Sequence, residues 1–458
     1  MSSPALEEVT TPVTENLAQG AVDLRFEDID ADSLAVAKQC LIDWFAVTLA
    51  GAAEPLTTML AAEAEEEGGQ PRATLIGSAA KGSLAQACLV NGSASHALDY
   101  DDVARAMGGH PTAQVGAAVL AMAEDMGASG RDLVTAFVAG YETECHVGSL
   151  VSPSHYRKGF HATATVGCFG AAAGVGRLLG LDGEAMARAL GIAGTQAAGL
   201  KSQFGTMCKP LHAGKAAGNG LLAARMAKRG FTSRPDILEV SQGFADTQSD
   251  DLSIERAMQT PPRGLYVREN LFKFHAACYM THSSIEILSD LRDEAQLTPD
   301  QIDTVELSVD PGSLAVCNIQ EPDTGLEAKF SLRQTAAFAL AGVDTASIEN
   351  FSDANAQAPH LVDLRRKVNV TGDGGPASLA SAVINLHDGQ TLERSFDVGV
   401  PAEDVAAQGL KIDAKFRSLV VPLLGQETAE ALLADLHNLE NLDDTGRLLG
   451  HVADWHAG

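Results

Sequence analysis

Histidines are unevenly spread along this chain and concentrate beside other chemically active side chains. Of 13 histidines, 8 fall between His96 and His282, a stretch that also carries Asp99, Lys209 and Lys273. Imidazoles exchange protons near neutral pH, and lysine ammonium groups supply fixed positive charge. In a run otherwise rich in glycine and alanine, this combination indicates a site for proton transfer rather than a solvated surface.

The first motif, SHALDYDD followed by GGHPT, places carboxylates just before a helix start. It contains Asp99, Asp101 and Asp102, and His110-Pro111 opens the next helical run. A helix N-terminus favours anions, so an acid and a base held there can act on one. The alternative is that these aspartates only cap helices and occupy turns.

The second motif, KGFHAT, places His161 at the start of a helix whose Gly167, Gly170 and Gly174 are spaced to share a face. Those glycines allow another helix to approach closely, so His161 can project into a cavity. The alternative is a histidine that caps or packs at the helix start. The GVG sequence at 174–176 is not a dinucleotide loop, because no strand precedes it and a third glycine is wrongly spaced.

The third motif is FGTMCKPLHAGKAAGNG. Pro210 suits the first turn of a helix, and Lys209 beside that helix start favours a carboxylate. His212, Lys215 and Asn219 then share a helix face at i, i+3 and i+7. The alternative is a solvated lysine before an ordinary helix.

The fourth motif, KFHAACYMTH, runs from Lys273 to His282 and contains Cys278. A cysteine beside histidines can be a nucleophile if its pKa is depressed and a base is positioned next to it. A small packed cysteine is the alternative. The sequence alone leaves both interpretations of Cys278 open.

The elements that must position these motifs are mostly helical. Apolar residues recur at helical spacing in seven early segments, which are 34–50, 83–97, 114–126, 130–148, 163–179, 183–198 and 210–229. No sustained period-two pattern occurs in this part of the sequence. We therefore expect the first domain to be all-helical.

Proline and glycine at residues 260–264 predict a domain boundary. The later segments with strand or helix patterns are 304–309, 332–341, 366–371 and 382–398. We predict a mainly α protein, with a large all-helical domain over 1–265 and a smaller α+β lid domain inserted over 266–400. Returning helical periodicity predicts that helices in 401–458 complete the first domain.

Charge and cysteine content narrow the class of protein. With 60 acidic and 32 basic residues the formal net charge is −28, so neither nucleic acid nor an anionic membrane is expected as a partner. The seven cysteines contain no CxxC pair and no zinc-ligand spacing, which indicates free thiols. No lysine or arginine precedes Arg25 and no apolar signal segment is seen, so we expect a cytoplasmic protein.

Together, the four motifs resemble the landmarks of the MmgE/PrpD family, in order and approximate spacing across nearly the whole chain. That family includes 2-methylcitrate dehydratase, cis-aconitate decarboxylase and iminodisuccinate epimerase. The resemblance implies a homodimer with a helical domain and an α+β lid, acting on a small polycarboxylate without metal or organic cofactor. It implies an active-site carboxylate, histidines and lysines at Asp99, His110, His161, Lys209 and Lys273, which we predict to be catalytic.

The motifs also supply a second group of residues, which we predict to bind the substrate: Thr206, His212, Lys215, Cys278 and His282. Five departures from the family pattern occur. Val103 stands where relatives often carry Thr or Ser, Ala162 replaces a Pro, Cys208 replaces a Thr, Gly218 replaces an Arg or Gln, and His275-Ala276 replaces an aromatic-Pro pair. These departures leave the substrate's identity open.

Reactions of this family make or discharge a carbanion beside a carboxylate, which requires a positioned base and fixed positive charge. The leading hypothesis is a cofactor-independent hydro-lyase resembling 2-methylcitrate dehydratase, since dehydration is the family's commonest assigned reaction. Epimerisation or decarboxylation could use the same residues, and a non-catalytic carboxylate-binding protein is a further alternative. Because Lys209 and Lys273 fall in different predicted domains, substrate is expected to draw the domains together.

Overall fold

The computed structural model describes residues 12–376 and 378–457. The chain divides into two compact units, one comprising Met1–Phe272 with Asp404–Gly458 and the other Lys273–Glu403. The described residues are mainly helical with small sheets, which confirms the predicted mainly α class.

The first unit begins with a series of α-helices. They are α1 (Val13–Asp23), α2 (Ala31–Gly51), α3 (Pro55–Glu67), α4 (Leu84–His96), α5 (Pro111–Met126), α6 (Gly130–Val151), α7 (Ser154–Arg157), α8 (Ala162–Thr165), α9 (Gly167–Leu178), α10 (Gly183–Gly194), α11 (Cys208–Lys228), α12 (Phe244–Gln248) and α13 (Ile254–Met258). A short antiparallel pair, β1 (Ala73–Thr74) and β2 (Lys81–Gly82), lies between α3 and α4. The prediction that this domain is all-helical is therefore wrong at these two strands, which are too short to give a period-two pattern.

The second unit combines helices with a four-stranded sheet. Its elements are α14 (His282–Ala295), β3 (Ile302–Val309), α15 (Pro311–Val316), α16 (Gly325–Ala328), α17 (Leu332–Ala341), α18 (Asp353–Ala356), α19 (Pro359–Arg365), β4 (Val368–Thr371), β5 (Leu379–Leu386) and β6 (Thr391–Asp397). The strand order is β4-β3-β5-β6, with β3 and β4 parallel and the other pairs antiparallel. The β5–β6 turn contains Gly389 at φ 87°, as its Asp-Gly sequence favours.

The chain then returns to the first unit through α20 (Val405–Leu424), α21 (Gln426–His437) and α22 (Gly446–Gly450). Short 3-10 helices occur at Phe26–Asp28, Lys201–Gln203, Tyr266–Glu269, Tyr279–Thr281, Pro299–Gln301, Ile348–Asn350 and Leu439–Asn441. Gly425, at φ 78°, separates α20 from α21.

One predicted helix, 163–179, is interrupted between α8 and α9. Thr165 donates its hydroxyl to the carbonyl of His161 at 3.3 Å, which is a bond to the preceding turn. The backbone at Val166, between the two helices, keeps helical dihedrals of φ −74° and ψ −39°. His161 lies at the N-cap of α8.

One described helix, α2, has the length and hydropathy of a membrane span, and 78% of that window is buried inside the protein. Burial of this extent is typical of a core helix.

Helix α11 packs against α4 and α9 through small residues. A Cβ at Gly214 would stand 2.2 Å from the carbonyl oxygen of Leu89, so the α11–α4 approach requires glycine there.

Candidate active site

The carboxylates of the first motif occupy a loop between α4 and α5. Asp99 has a left-handed backbone, at φ 52°, and its side chain is 53% exposed. Asp101 and Asp102 are buried. An aspartate tolerates a positive φ better than most residues, and such strain is concentrated at functional sites. The loop therefore sends one carboxylate outward and two inward.

Asp101 connects two histidines. Its carboxylate accepts a hydrogen bond from Nδ1 of His96 at 2.9 Å, and Nδ1 of His110 lies 3.2 Å away. Burial alone would raise the pKa of Asp101, but His110 and His96 outweigh it and hold that pKa well below its usual value. The ionised carboxylate fixes the orientation of both rings, as carboxylates commonly do for functional histidines.

His110 is held where the loop meets α8. It lies at the N-cap of α5, directly before Pro111, and its backbone N–H donates to Oγ1 of Thr163 at 3.1 Å. A Cβ on Gly109 would stand 2.9 Å from the backbone nitrogen of Thr163, so only glycine permits this approach. The close packing fixes His110 relative to His161, which lies at the N-cap of α8.

His161 lies against a second histidine, His212 on α11. Their Nδ1 atoms are 3.0 Å apart, so one ring donates and the other accepts. The ring of His96 stacks on His161 with centroids 5.8 Å apart, and Phe204 meets it edge-on at 5.0 Å. Because either imidazole can hold the shared proton, the pair can relay a proton between α8 and α11.

These rings are neutral at neutral pH. Burial lowers the pKa of His161 far below its ordinary value, and His96 and Lys209 act in the same direction. Burial lowers the pKa of His96 to about 4 and also lowers that of His212. A neutral imidazole has a free lone pair, so this cluster can accept a proton from a substrate.

Lys209 supplies the positive charge. It lies in the first turn of α11, and its Nζ is 2.9 Å from Oδ1 of Asp99. The same Asp99 oxygen is 3.5 Å from Nε2 of His110. Asp99 therefore stands between an ammonium and an imidazole, in the position that a substrate carboxylate could take.

The structure thus brings together five of the predicted residues in the first unit: Asp99, His110, His161, Lys209 and His212. Thr206 lies outside this cluster, exposed in the turn before α11, where it donates to the carbonyl of Gln203 and accepts from the N–H of Cys208. Lys215 is exposed and lines a different cavity, whose described lining includes none of these five residues. His212 and Lys215 were predicted to share one face of the helix, but their side chains lie in different sites.

Three predicted residues, Lys273, Cys278 and His282, belong to the second unit. Lys273 is 3% exposed. His282 donates its Nε2–H to the carbonyl oxygen of Ala277 at 3.1 Å, and burial lowers its pKa well below the ordinary value. Cys278 is half-buried beside Cys317, whose pKa is raised by a hydrogen bond with Cys278 and by burial. The Cys317 thiol therefore stays protonated.

Sequence reasoning did not select three side chains that organise the cluster. His96 and Asp101 form part of the first motif, and their five-residue spacing was the available signal. Lys415 comes from α20, and its Nζ lies 2.6 Å from buried Asp43 and donates to the carbonyl of Tyr100 at 2.8 Å. No local pattern could connect Lys415 with a loop more than three hundred residues earlier.

The donor types also allow a metal to be considered. Ligand atoms of His96, Asp99, Asp101 and His110 lie within 4.8 Å of one another. However, the Lys209 ammonium already pairs with Asp99, and Asp101 faces two imidazoles. These contacts satisfy the carboxylates with the chain's own groups, and the predicted independence from metal stays a prediction.

Comparison with known proteins identifies the family. The MmgE/PrpD N-terminal domain matches residues 15–257, and the MmgE/PrpD C-terminal domain matches residues 275–440. The chain belongs to the MmgE/PrpD family. Similar MmgE/PrpD relatives are cis-aconitate decarboxylases: one from Aspergillus terreus is 27% identical over 471 residues, covering 95% of both chains. Another, from Homo sapiens, is 27% identical over 377 residues, covering 78% of this chain and 77% of the relative.

Proposed function

We propose that this MmgE/PrpD chain is a cofactor-independent lyase that decarboxylates a small unsaturated tricarboxylate, cis-aconitate or a close analogue. The main observation that supports this proposal is the buried histidine cluster around the Asp99–Lys209 pair. Similar relatives are named cis-aconitate decarboxylases, which supports decarboxylation. The sequence motifs had instead favoured dehydration.

The chemistry needs an anion-binding group and a proton donor. In the proposed step the bond to the departing CO2 breaks and its electron pair forms a new C=C bond. The original double bond shifts its electrons to the carbon beside a remaining carboxylate, and that carbon takes one proton. Lys209 would hold this carboxylate and stabilise the negative charge that develops on it.

His110 is the proposed proton donor. One of its nitrogens faces Asp101 and the other faces Asp99. Both nitrogens donate only in the imidazolium form, and that form can deliver a proton to carbon. A substrate carboxylate that replaces Asp99 at Lys209 would bring its own carbon skeleton beside this ring.

The direct test is incubation with cis-aconitate, with and without a strong chelator, while NMR follows the substrate and its product. We expect CO2 release with chelator present, and we expect Lys209→Met to abolish it. A chelator that stops turnover would overturn the cofactor-independent claim. Absence of turnover with cis-aconitate and its analogues would overturn decarboxylation.

Dehydration is the second candidate, because the neutral His161–His212 pair is suited to removing a proton beside a carboxylate. Loss of the neighbouring hydroxyl would then need an acid, for which His110 is placed. Incubation with 2-methylcitrate and related hydroxy acids separates the candidates, since only dehydration forms a new double bond without CO2. Under dehydration, His161→Ala should lower kcat by about 10²–10⁴-fold.

We further propose that the second unit acts as a lid and that its Lys273 holds another substrate carboxylate. The proposal rests on the sequence motif that contains Lys273 and on the family resemblance. Solution scattering with and without a tight-binding substrate analogue tests it. Closure predicts a smaller radius of gyration with the analogue, and identical curves would contradict closure.

A further inference from the structure

A second cavity in the first unit contains two cations that the proposed chemistry does not use. It has a volume of about 540 Å³ and lies along α3, α4 and α11. Lys215 and Arg225, both on α11, line it together with the apolar side chains of Leu89, Leu221 and Leu222. The cavity therefore combines positive charge with an apolar wall.

Both cations lie without a partner among the described residues. Among the residues that the structure describes, Lys215 and Arg225 form no hydrogen bond or ion pair. Arg225 is half-buried, and burial lowers its pKa, with Arg72 and Arg229 acting in the same direction. The carboxylate of Asp125 near it is already bonded to Arg72 through both oxygens.

Among the described residues, these two cations stay without a carboxylate partner although the chain is strongly acidic. Acidic residues outnumber basic ones by 60 to 32, so carboxylates are plentiful. Glu67 also lines the cavity, where its carboxylate accepts a hydrogen bond from Gln86 at 3.4 Å. The two cations of the lining therefore outnumber its one carboxylate. A half-buried guanidinium without an acceptor loses hydration, and an anionic ligand would restore its hydrogen bonds.

The cavity also indicates the shape of its ligand. Lys215 and Arg225 are ten residues apart on one helix, which is about 15 Å along its axis. Gly218 lies between them, and a Cβ there would approach no closer than 4.0 Å, to the carbonyl oxygen of Ala85. The space between the charges is thus open and bordered by leucines.

We propose that this cavity binds a small organic dianion whose two anionic groups are separated by an apolar segment. One group pairs with Arg225 and the other with Lys215, while the apolar segment lies against Leu89, Leu221 and Leu222. The site is separate from the histidine cluster, and the proposal does not depend on the decarboxylase assignment.

Isothermal titration of the full chain tests the proposal with three probes. Suberate carries two carboxylates at the ends of an apolar chain, octanoate has the same chain length with one, and phenyl phosphate has one compact dianionic group. We expect saturable binding of suberate and at least about tenfold weaker binding of octanoate. Stronger binding of phenyl phosphate than of suberate would overturn the separated-charge requirement.

Variants locate the binding. Lys215→Met and Arg225→Gln should each weaken suberate binding by about tenfold, and Gly218→Leu should block it by filling the space. Lys228→Met, which removes a charge from the same helix outside the cavity, should leave it unchanged. Binding that survives Gly218→Leu would place suberate outside this cavity and overturn the proposal. Binding that is lost in Lys209→Met and kept in Lys215→Met would place suberate at the histidine cluster, which would also overturn the proposal. Absence of saturable suberate binding would overturn it as well.

Discussion

At the residue scale, one buried carboxylate organises the chemistry of two imidazoles. Asp101 touches both His96 and His110, and it is ionised although it is 2% exposed. A carboxylate in this position fixes which nitrogen of each ring carries a proton. Asp101 acts on substrate only through these rings, so it is a positioning residue.

Asp101→Asn should therefore change how activity depends on pH as well as its size. We expect kcat to fall by about 10–100-fold, as losses of partners behind functional histidines do, with little change in KM. The pH–rate profile should shift because the charge beside His110 is gone. Asp435→Asn, which removes a buried carboxylate bonded to His451 outside this cluster, is the matched control and should leave the profile in place. An unchanged profile in Asp101→Asn would show that Asp101 is only structural.

Sequence reasoning selected Asp99, His110, His161 and Lys209 because their motifs resemble the MmgE/PrpD landmarks, which imply active-site residues at these positions. It passed over His96 and Asp101, since choosing between three aspartates in one loop requires knowing which point inward. It also placed Lys215 near the site because α11 was treated as an ideal helix with one functional face. In the structure that side chain lines another cavity, since neighbouring helices decide which parts of α11 face which space.

At the element scale, the site depends on helix starts and on the breaks between helices. His110, His161 and Lys209 each stand at or beside the beginning of a helix, and these positions were visible from Pro111, Pro210 and the motif spacing. The break after α8 was not visible, because the apolar pattern continues through it. The bond from the Thr165 hydroxyl to the carbonyl of His161 near this point is a three-dimensional feature.

Gly109→Ala tests the contact between the His110 loop and α8. The added Cβ would come within 2.9 Å of Thr163, so the loop must move and take His110 with it. We expect kcat/KM to fall at least about tenfold and stability to fall by about 1–3 kcal/mol. Gly20→Ala, where a Cβ meets no atom within 4 Å in α1, is the control and should leave activity unchanged. Wild-type activity in Gly109→Ala would contradict the positioning argument.

The start of α5 also predicts a pH dependence of stability. Burial raises the pKa of Asp102 to about 7, against opposing hydrogen bonds from Thr112 and with a further increase from Asp43. In the unfolded chain this carboxyl ionises near pH 4. Between these values the folded state binds the extra proton, so the contribution of Asp102 to the free energy of unfolding falls as pH rises from about 4 to about 7.

Asp102→Asn removes this titration. Chemical denaturation at pH 5 and pH 8 should show that the variant loses less stability than the wild type over that interval, by on the order of 2 kcal/mol. Asparagine retains an oxygen that accepts from Thr112, so the helix start keeps its cap. Equal losses in both proteins would contradict the raised pKa.

Across the whole molecule, basic residues are outnumbered, and the formal net charge is −28. Where the cations lie therefore determines where an anionic substrate can bind. Lys209 is committed to the histidine cluster through Asp99, while Lys215 and Arg225 border a separate cavity. The predominance of helix and the α+β character of the later segment were predictable from hydrophobic periods. The return of α20 to the first unit, with Lys415 beneath the carboxylate loop, depends on contacts far apart in sequence.

We propose that the protein is a homodimer, as the family resemblance implies. Analytical ultracentrifugation should give a mass near twice the 47.6 kDa of one chain at concentrations used for assays. Dilution should not release monomers in the range where activity is constant. A single species with the mass of one chain would contradict the proposal.

The central claim is that the histidine cluster delivers one solvent-derived proton to carbon as CO2 departs. The most direct measurement is turnover of cis-aconitate in heavy water, with NMR counting deuterons in the product and CO2 measured in the same sample. We expect one carbon-bound deuteron for each CO2 released, and a rate lower by about 10²–10⁴-fold in His110→Gln. Product without carbon-bound deuterium, or an undiminished rate in His110→Gln, would contradict it.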